Sequence, residues 1–98
     1  MVYLIRTVRV TGDWSKMESA SRALLQCWAK APQAKRVEAW GNIAGPQNEF
    51  RFVAQFDSLA DEEKFAMSLW NDPAYEKVLM DSAQVFSIGE DQLFRTFE

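Results

Sequence analysis

The chain has 98 residues, with 11 Lys/Arg against 14 Asp/Glu, no histidine and one cysteine. Its length fits one domain spanning residues 1–98, since domains usually hold about 100–150 residues. A net charge of −3 without any Lys/Arg run leaves no electrostatic footprint for nucleic acid or an anionic membrane, and the lone Cys27 excludes an internal disulfide and fits a cytoplasmic protein.

Val2 to Val10 (VYLIRTVRV) is rich in β-branched and aromatic residues and predicts a strand. Arg6 and Arg9 interrupt it, which argues against a signal-peptide core or a membrane span of about 20 apolar residues. Thr11-Gly12-Asp13 breaks the strand, and Asp13 is placed to cap the helix that follows. Trp14, Met17, Ser21, Leu24 and Trp28 then recur at the period of one helix face. Pro32 stops that helix, because proline cannot continue it. Lys35 to Ile43 alternates, with Val37, Ala39, Gly41 and Ile43 on one side. Glu49 to Asp57 alternates again, with Phe50, Phe52, Ala54 and Phe56 together. The turn at Gly45-Pro46 makes these two strands a hairpin.

Ser58 to Asp61 has capping-box spacing, with Asp in place of the preferred Glu/Gln. Phe65, Ala66, Leu69 and Trp70 form the stripe of the helix it opens. Asn71-Asp72-Pro73 interrupts it: Asp72 caps a new helix and Pro73 takes the first position, where its missing N–H costs nothing. Tyr75, Val78, Leu79 and Ser82 continue the face. Val85 to Asp91 reads as a loop around Gly89, and Gln92 to Phe97 as a short last strand.

The order is β-α-β-β-α-β, the ferredoxin-like split βαβ pattern of an α+β fold. Right-handed crossovers place both helices on one face of a four-stranded antiparallel sheet. A sheet covered on one side should be polar on the other. Here Tyr3, Ile5, Trp40 and Val53 stand there among Arg9, Glu38, Arg51 and Gln55. A mixed-apolar sheet face predicts a homodimer through that face; scattered surface aromatics are the alternative.

Phe56-Asp57-Ser58-Leu59-Ala60-Asp61, leading through Phe65 to Asp72-Pro73-Ala74-Tyr75, resembles the dimeric α+β barrel superfamily. It is most similar to NIPSNAP-like and antibiotic-biosynthesis-monooxygenase-like members, where a strand ending in an acidic-Ser turn, a helix and a D-P-aromatic restart are frequent. The resemblance implies two sheets packed back to back across a dimer axis and a pocket in each subunit between helices and sheet. Members range from enzymes to proteins of unknown function, so the fold does not name the function.

Without histidine there is no Ser-His or Cys-His nucleophile pair and no imidazole base. Zinc and iron sites need His or several Cys, and no glycine-rich nucleotide loop is present. The haem-degrading members of the superfamily carry Asn, Trp and His around the haem, so neither haem nor any other cofactor or metal is expected here. Asp61, Glu62 and Glu63 read as partners of a helix dipole. Glu38 and Glu49 read as ladder partners of Arg51 or Arg36; a functional reading makes one of them a general base. Cys27 reads as a buried, inert thiol.

Trp28, Trp70 and Tyr75 lie on helix faces aimed at the sheet, as plain core or as a pocket wall. The break at Asn71-Asp72-Pro73 leaves space between the two helical halves. Cofactor-free monooxygenases of the superfamily use Trp, Asn and Tyr around a polyphenol; Trp70, Asn71 and Tyr75 supply those types, without a position-by-position match. Arg6 and Arg95 each interrupt an apolar alternation. A buried arginine must be paired or hold an anionic ligand, whereas an edge arginine snorkels to water. The expected site therefore comprises Trp70, Asn71, Tyr75, Trp28 and one of Arg6 or Arg95, taking a small, largely apolar or aromatic molecule. Two alternatives stay open: a cofactor-independent monooxygenase acting on an aromatic, polyketide-like substrate, and a structural dimer whose tryptophans fill the core.

Overall fold

Residues 1–97 are described by a computed structural model. Strand β1 (Val2–Val10) is followed by a single 3-10 turn and helix α1 (Met17–Lys30), then β2 (Arg36–Gly41) and β3 (Glu49–Phe56). Helices α2 (Leu59–Trp70) and α3 (Pro73–Ser82) precede β4 (Phe86–Arg95). The strands form one antiparallel sheet in the order β2-β3-β1-β4. This is the expected split βαβ topology, with its second helical segment broken in two.

Local chemistry sets the boundaries. Asp13 accepts a hydrogen bond from the Ser15 amide at 2.9 Å, so it caps the 3-10 turn, and α1 begins one turn later than the stripe from Trp14 suggests. Ser58 Oγ accepts from the Asp61 amide at 3.2 Å and starts α2. Asp72 accepts from the Ala74 amide at 2.9 Å with Pro73 at the first position of α3. Both are N-terminal amides that the helix itself cannot satisfy.

The core lies between the helices and one face of the sheet. Val2, Leu4 and Val8 of β1 and Phe52, Ala54 and Phe56 of β3 form its floor. Leu24, Cys27 and Trp28 of α1, Phe65 and Leu69 of α2, and Tyr75 of α3 close over it. Phe65 meets Trp28 and Phe56 edge to face, with ring centroids 5.6 and 4.9 Å away, the preferred geometry of aromatic pairs.

β4 is longer than expected and begins at Phe86, within the stretch that reads as a loop. The cause is a bulge. Val8 pairs with Ile88 and Thr7 with Glu90, leaving Gly89 as an extra residue. A bulge breaks the period of two on which strand recognition depends. It also exchanges the faces: Phe86 and Ile88 share the helix side with Val10 and Val8, and beyond Gly89 that side passes to Asp91, Leu93 and Arg95. The bulge packs closely, since a Cβ at Gly89 would sit 3.3 Å from the Thr7 carbonyl oxygen.

On the outer face, Tyr3 pairs with Gln55 and Phe94, and Ile5 with Val53. Trp40 and Phe94 are about half exposed there, at 46% and 48%. Glu49 pairs with Arg9 across β1 and β3, and Arg36 with Glu38 along β2. Among the described residues Arg51 donates to Asn42 and pairs with neither glutamate. Among the described residues no helix is long and apolar enough to cross a membrane.

Candidate functional site

Arg6 sits mid-strand on the helix side of β1, between Leu4 and Val8, in register with Phe52 on β3 and Asp91 on β4. Its side chain is only 13% exposed. Burial of a charge at that position demands partners, and three are present. Nε and Nη2 donate to the two carboxylate oxygens of Asp91 at 2.8 and 2.9 Å, a bidentate fork. Nη1 donates to the Tyr75 hydroxyl oxygen at 2.6 Å. The guanidinium carbon lies 5.2 Å from the centroid of the Trp28 ring, within cation–π range. Burial alone lowers the pKa of Arg6, but the hydrogen bonds and charges of Asp91 and Tyr75 outweigh it and raise the net value, so the cation is fixed.

Above this cluster a cavity of about 620 Å³ opens between α2, α3 and the β1–β4 side of the sheet. Leu4, Phe65, Ala66, Leu69, Leu79 and Leu93 give it apolar walls, and Arg6, Asp91, Tyr75, Glu62 and Glu76 its polar groups. Trp70 belongs to the lining but is 88% exposed, so it forms the rim. The chain break that sets this geometry is the α2–α3 junction, where Asp72 starts a new helix and prevents α2 from continuing over the sheet.

Arg6, Tyr75 and Trp70 thus come together, and the other expected residues do not. Asn71 is exposed at the C-terminus of α2, one helical step off the inner stripe, and lies outside the lining. Trp28 is fully buried beneath Arg6, packed on Phe52 and Phe65; it is core and not wall. Arg95 is exposed at the far end of β4 opposite Val2, four residues and therefore roughly 13 Å along the strand from Asp91. The arginine charge expected for an anionic group is already taken by Asp91.

Three polar cavity residues escape the sequence reading, Glu62, Asp91 and Glu76. Glu62 stands three residues before Phe65 and four before Ala66, on the inner stripe of α2, a spacing visible in the sequence but masked by its place among first-turn acids. Its carboxyl pKa is raised, first by burial and then by the charges of Glu63 and Asp91. Asp91 is aimed inward only because of the bulge. Cys27 is buried in the core, and burial, then the charge of Asp72, pushes its thiol pKa up, as for an inert thiol. Among the described residues no group of three or more Cys, Asp or Glu is placed to hold a metal ion.

No protein-family model matches the chain, and no curated protein matches it in sequence. Solved structures do match in shape. Protein Atu4242 from Agrobacterium tumefaciens, a NIPSNAP family protein of unknown function, superposes with a TM-score of 0.79 at 20% identity, over 97% of this chain and 92% of that one. An uncharacterised NIPSNAP domain protein from Burkholderia xenovorans gives 0.78 at 18% identity, covering 99% and 95%. SnoaB, a cofactor-independent oxygenase from Streptomyces nogalater, gives 0.78 at 16% identity, covering 99% and 93%. The chain therefore shares its fold, a four-stranded antiparallel sheet with helices on one face, with NIPSNAP proteins of unknown function and with a cofactor-independent oxygenase.

Proposed function

We propose that the chain binds a small, largely apolar or aromatic molecule in the cavity under α2 and α3. The observation that carries this is a fixed polar cluster, Arg6 with Asp91 and Tyr75, at the base of an otherwise apolar cavity of about 620 Å³. Small-molecule sites have that composition and typically about 300–1,000 Å³. Because Asp91 neutralises Arg6, and Glu62 and Glu76 add two more carboxylates, the cavity disfavours an anion, and its apolar walls suit an uncharged ligand with an oxygen function. The test is a thermal-shift screen of bicyclic and tricyclic phenols and aryl ketones, with titration calorimetry on those that raise the melting temperature. Trp70→Ala is expected to change stability by about 0.5 kcal/mol or less, as for an exposed position, while weakening such a ligand about tenfold, or ~1.4 kcal/mol. A panel without a single binder, or a Trp70→Ala chain destabilised like a core deletion, counts against the pocket.

A second reading, an oxygenase acting on an aromatic substrate without a cofactor, is supported by the shared fold of SnoaB and by the Trp70 and Tyr75 side chains at the cavity. Oxygen uptake with a hydroquinone, above the rate in buffer, is its test.

The outer sheet face, where Trp40, Tyr3, Val53 and Phe94 gather, supports a homodimer through that face. Trp40→Glu is expected to shift the sedimenting species from dimer to monomer, since an unpaired charge in an interface costs several kcal/mol. A wild-type monomer at micromolar concentration would refute the dimer. A single cysteine and the absence of disulfides support a cytoplasmic setting.

A further inference from the structure

Glu62 and Tyr75 face the same cavity from α2 and α3. Tyr75 is 6% exposed, and its oxygen already accepts from Arg6 at 2.6 Å. Its own proton meets no acceptor among the described residues, so it is available to whatever enters the cavity. A phenol bonded to a cation is a strong donor, and a fixed donor aimed at developing negative charge stabilises it without reorganisation. Glu62 has no cationic partner among the described residues, because Arg6 is committed to Asp91. The charges of Glu63 on its own helix and Asp91 on β4 act on Glu62, and Arg6 on β1 and Tyr75 and Glu76 on α3 line the same cavity. Burial, then Glu63 and Asp91, disfavours its charge, which strengthens it as a base.

We propose that the cavity is a proton-transfer site for an uncharged aromatic ketone, in which Glu62 is the base and Tyr75, held by Arg6, binds the oxygen where charge collects. This rests on the ligand pocket proposed above. The carbon–hydrogen bond next to the carbonyl breaks and its proton passes to the Glu62 carboxylate. The electron pair left on carbon forms the carbon–carbon double bond, and the carbonyl π pair moves to oxygen, giving an enolate bonded to the Tyr75 hydroxyl. Return of the proton from Glu62 to carbon restores ketone and carboxylate. Nothing is oxidised or reduced, and no co-reactant is consumed. Asp91 is a positioning residue: it touches Arg6 and acts through it.

The test uses 2-tetralone, an uncharged bicyclic ketone, with the whole chain in deuterated buffer. Proton NMR follows loss of the methylene signal between ring and carbonyl, and saturation-transfer NMR reports binding in the same tube. The wild-type chain is expected to accelerate exchange about a hundredfold or more over buffer. The rate should rise with pH to a plateau, with a midpoint displaced upward from that of an ordinary glutamate, because burial and then the charges of Glu63 and Asp91 disfavour the carboxylate. Glu62→Gln should still bind and lose the acceleration, and Tyr75→Phe should bind and lose about a hundredfold. Glu62→Gln is a sound variant for folding. A raised carboxyl pKa means that the charged form is disfavoured in the folded chain, so above that pKa removing the charge relieves stability instead of costing it. Binding without exchange by the wild type overturns proton transfer and leaves the pocket standing. Exchange that survives Glu62→Gln overturns the role of Glu62. Neither binding nor exchange removes the pocket and the inference together.

Discussion

Replacing Trp28 with alanine is expected to cost about 3–5 kcal/mol of stability, the range for deleting a buried large aromatic. Small domains hold only about 5–15 kcal/mol in total, so the urea midpoint should fall to a large fraction below that of the wild type. Three contacts converge on this ring. Phe65 and Phe52 meet it edge to face, with centroids 5.6 and 6.3 Å away, and Arg6 lies over its face. The side chain is fully buried, so its deletion leaves a void that the sheet floor cannot fill without moving Phe52. Trp28→Phe is the informative companion. Among the described residues the buried indole Nε1 meets no hydrogen-bond partner, and an unpaired buried donor is itself a cost of about 1–3 kcal/mol. Phenylalanine removes that donor with part of the volume, so it should cost much less than alanine. Denaturant unfolding of the three chains checks both statements; a Trp28→Ala loss under about 1 kcal/mol would mean that the core re-forms around the gap.

Asp91→Ala is expected to destabilise the chain by about 1.5–3 kcal/mol, the range for hydrogen bonds to charged groups. The carboxylate is 41% exposed, so water replaces part of what Arg6 loses and the lower end is expected. Replacing both partners with apolar residues, Arg6→Met with Asp91→Leu, should recover most of the loss, because no charge is then left behind. The larger effect is on the cavity. With Asp91 removed, Arg6 becomes a free cation beside Tyr75, and an anionic ligand becomes acceptable. The wild type should prefer 2-naphthol to 2-naphthoate, and Asp91→Ala should reverse that order by about tenfold, or ~1.4 kcal/mol. Paired calorimetric titrations decide it, and an unchanged preference would show that Asp91 does not set the charge of the site.

Most of the architecture was written in local signals. The alternation of β1 and of the hairpin, the Ser58 cap and the Asp72-Pro73 restart each match the structure, because each depends on neighbours within a few residues. Arg6 was legible for a similar reason: a charge inside an apolar alternation has to be answered by something. Its answer was not legible, because Asp91 lies 85 residues away. Arg95 breaks an alternation in the same way, but β4 is an edge strand that leaves its later residues exposed, so nothing has to answer it. Trp28 and Trp70 looked equivalent on helical spacing and are opposites in burial, at 0% and 88%. Their difference comes from where each helix ends over the sheet, which periodicity does not report. Glu62 was hidden by a good bland explanation, since first-turn acids suit a helix dipole whether or not they also face a cavity.

The extra glycine in β4 ties the interior of the molecule to its exterior. Strand residues alternate in direction, so one inserted residue acts like a shift of reading frame for everything downstream. In the present frame Asp91 and Leu93 reach the cavity while Phe94 turns outward beside Tyr3. In the other frame Glu90, Gln92 and Phe94 would face the helices, and Asp91 and Leu93 would face out. Arg6 would lose its carboxylate, a phenylalanine would crowd the cavity, and the outer face would exchange an aromatic ring for a charge. Ligand chemistry and surface stickiness in this chain are therefore inherited together, through a change in length and not in composition.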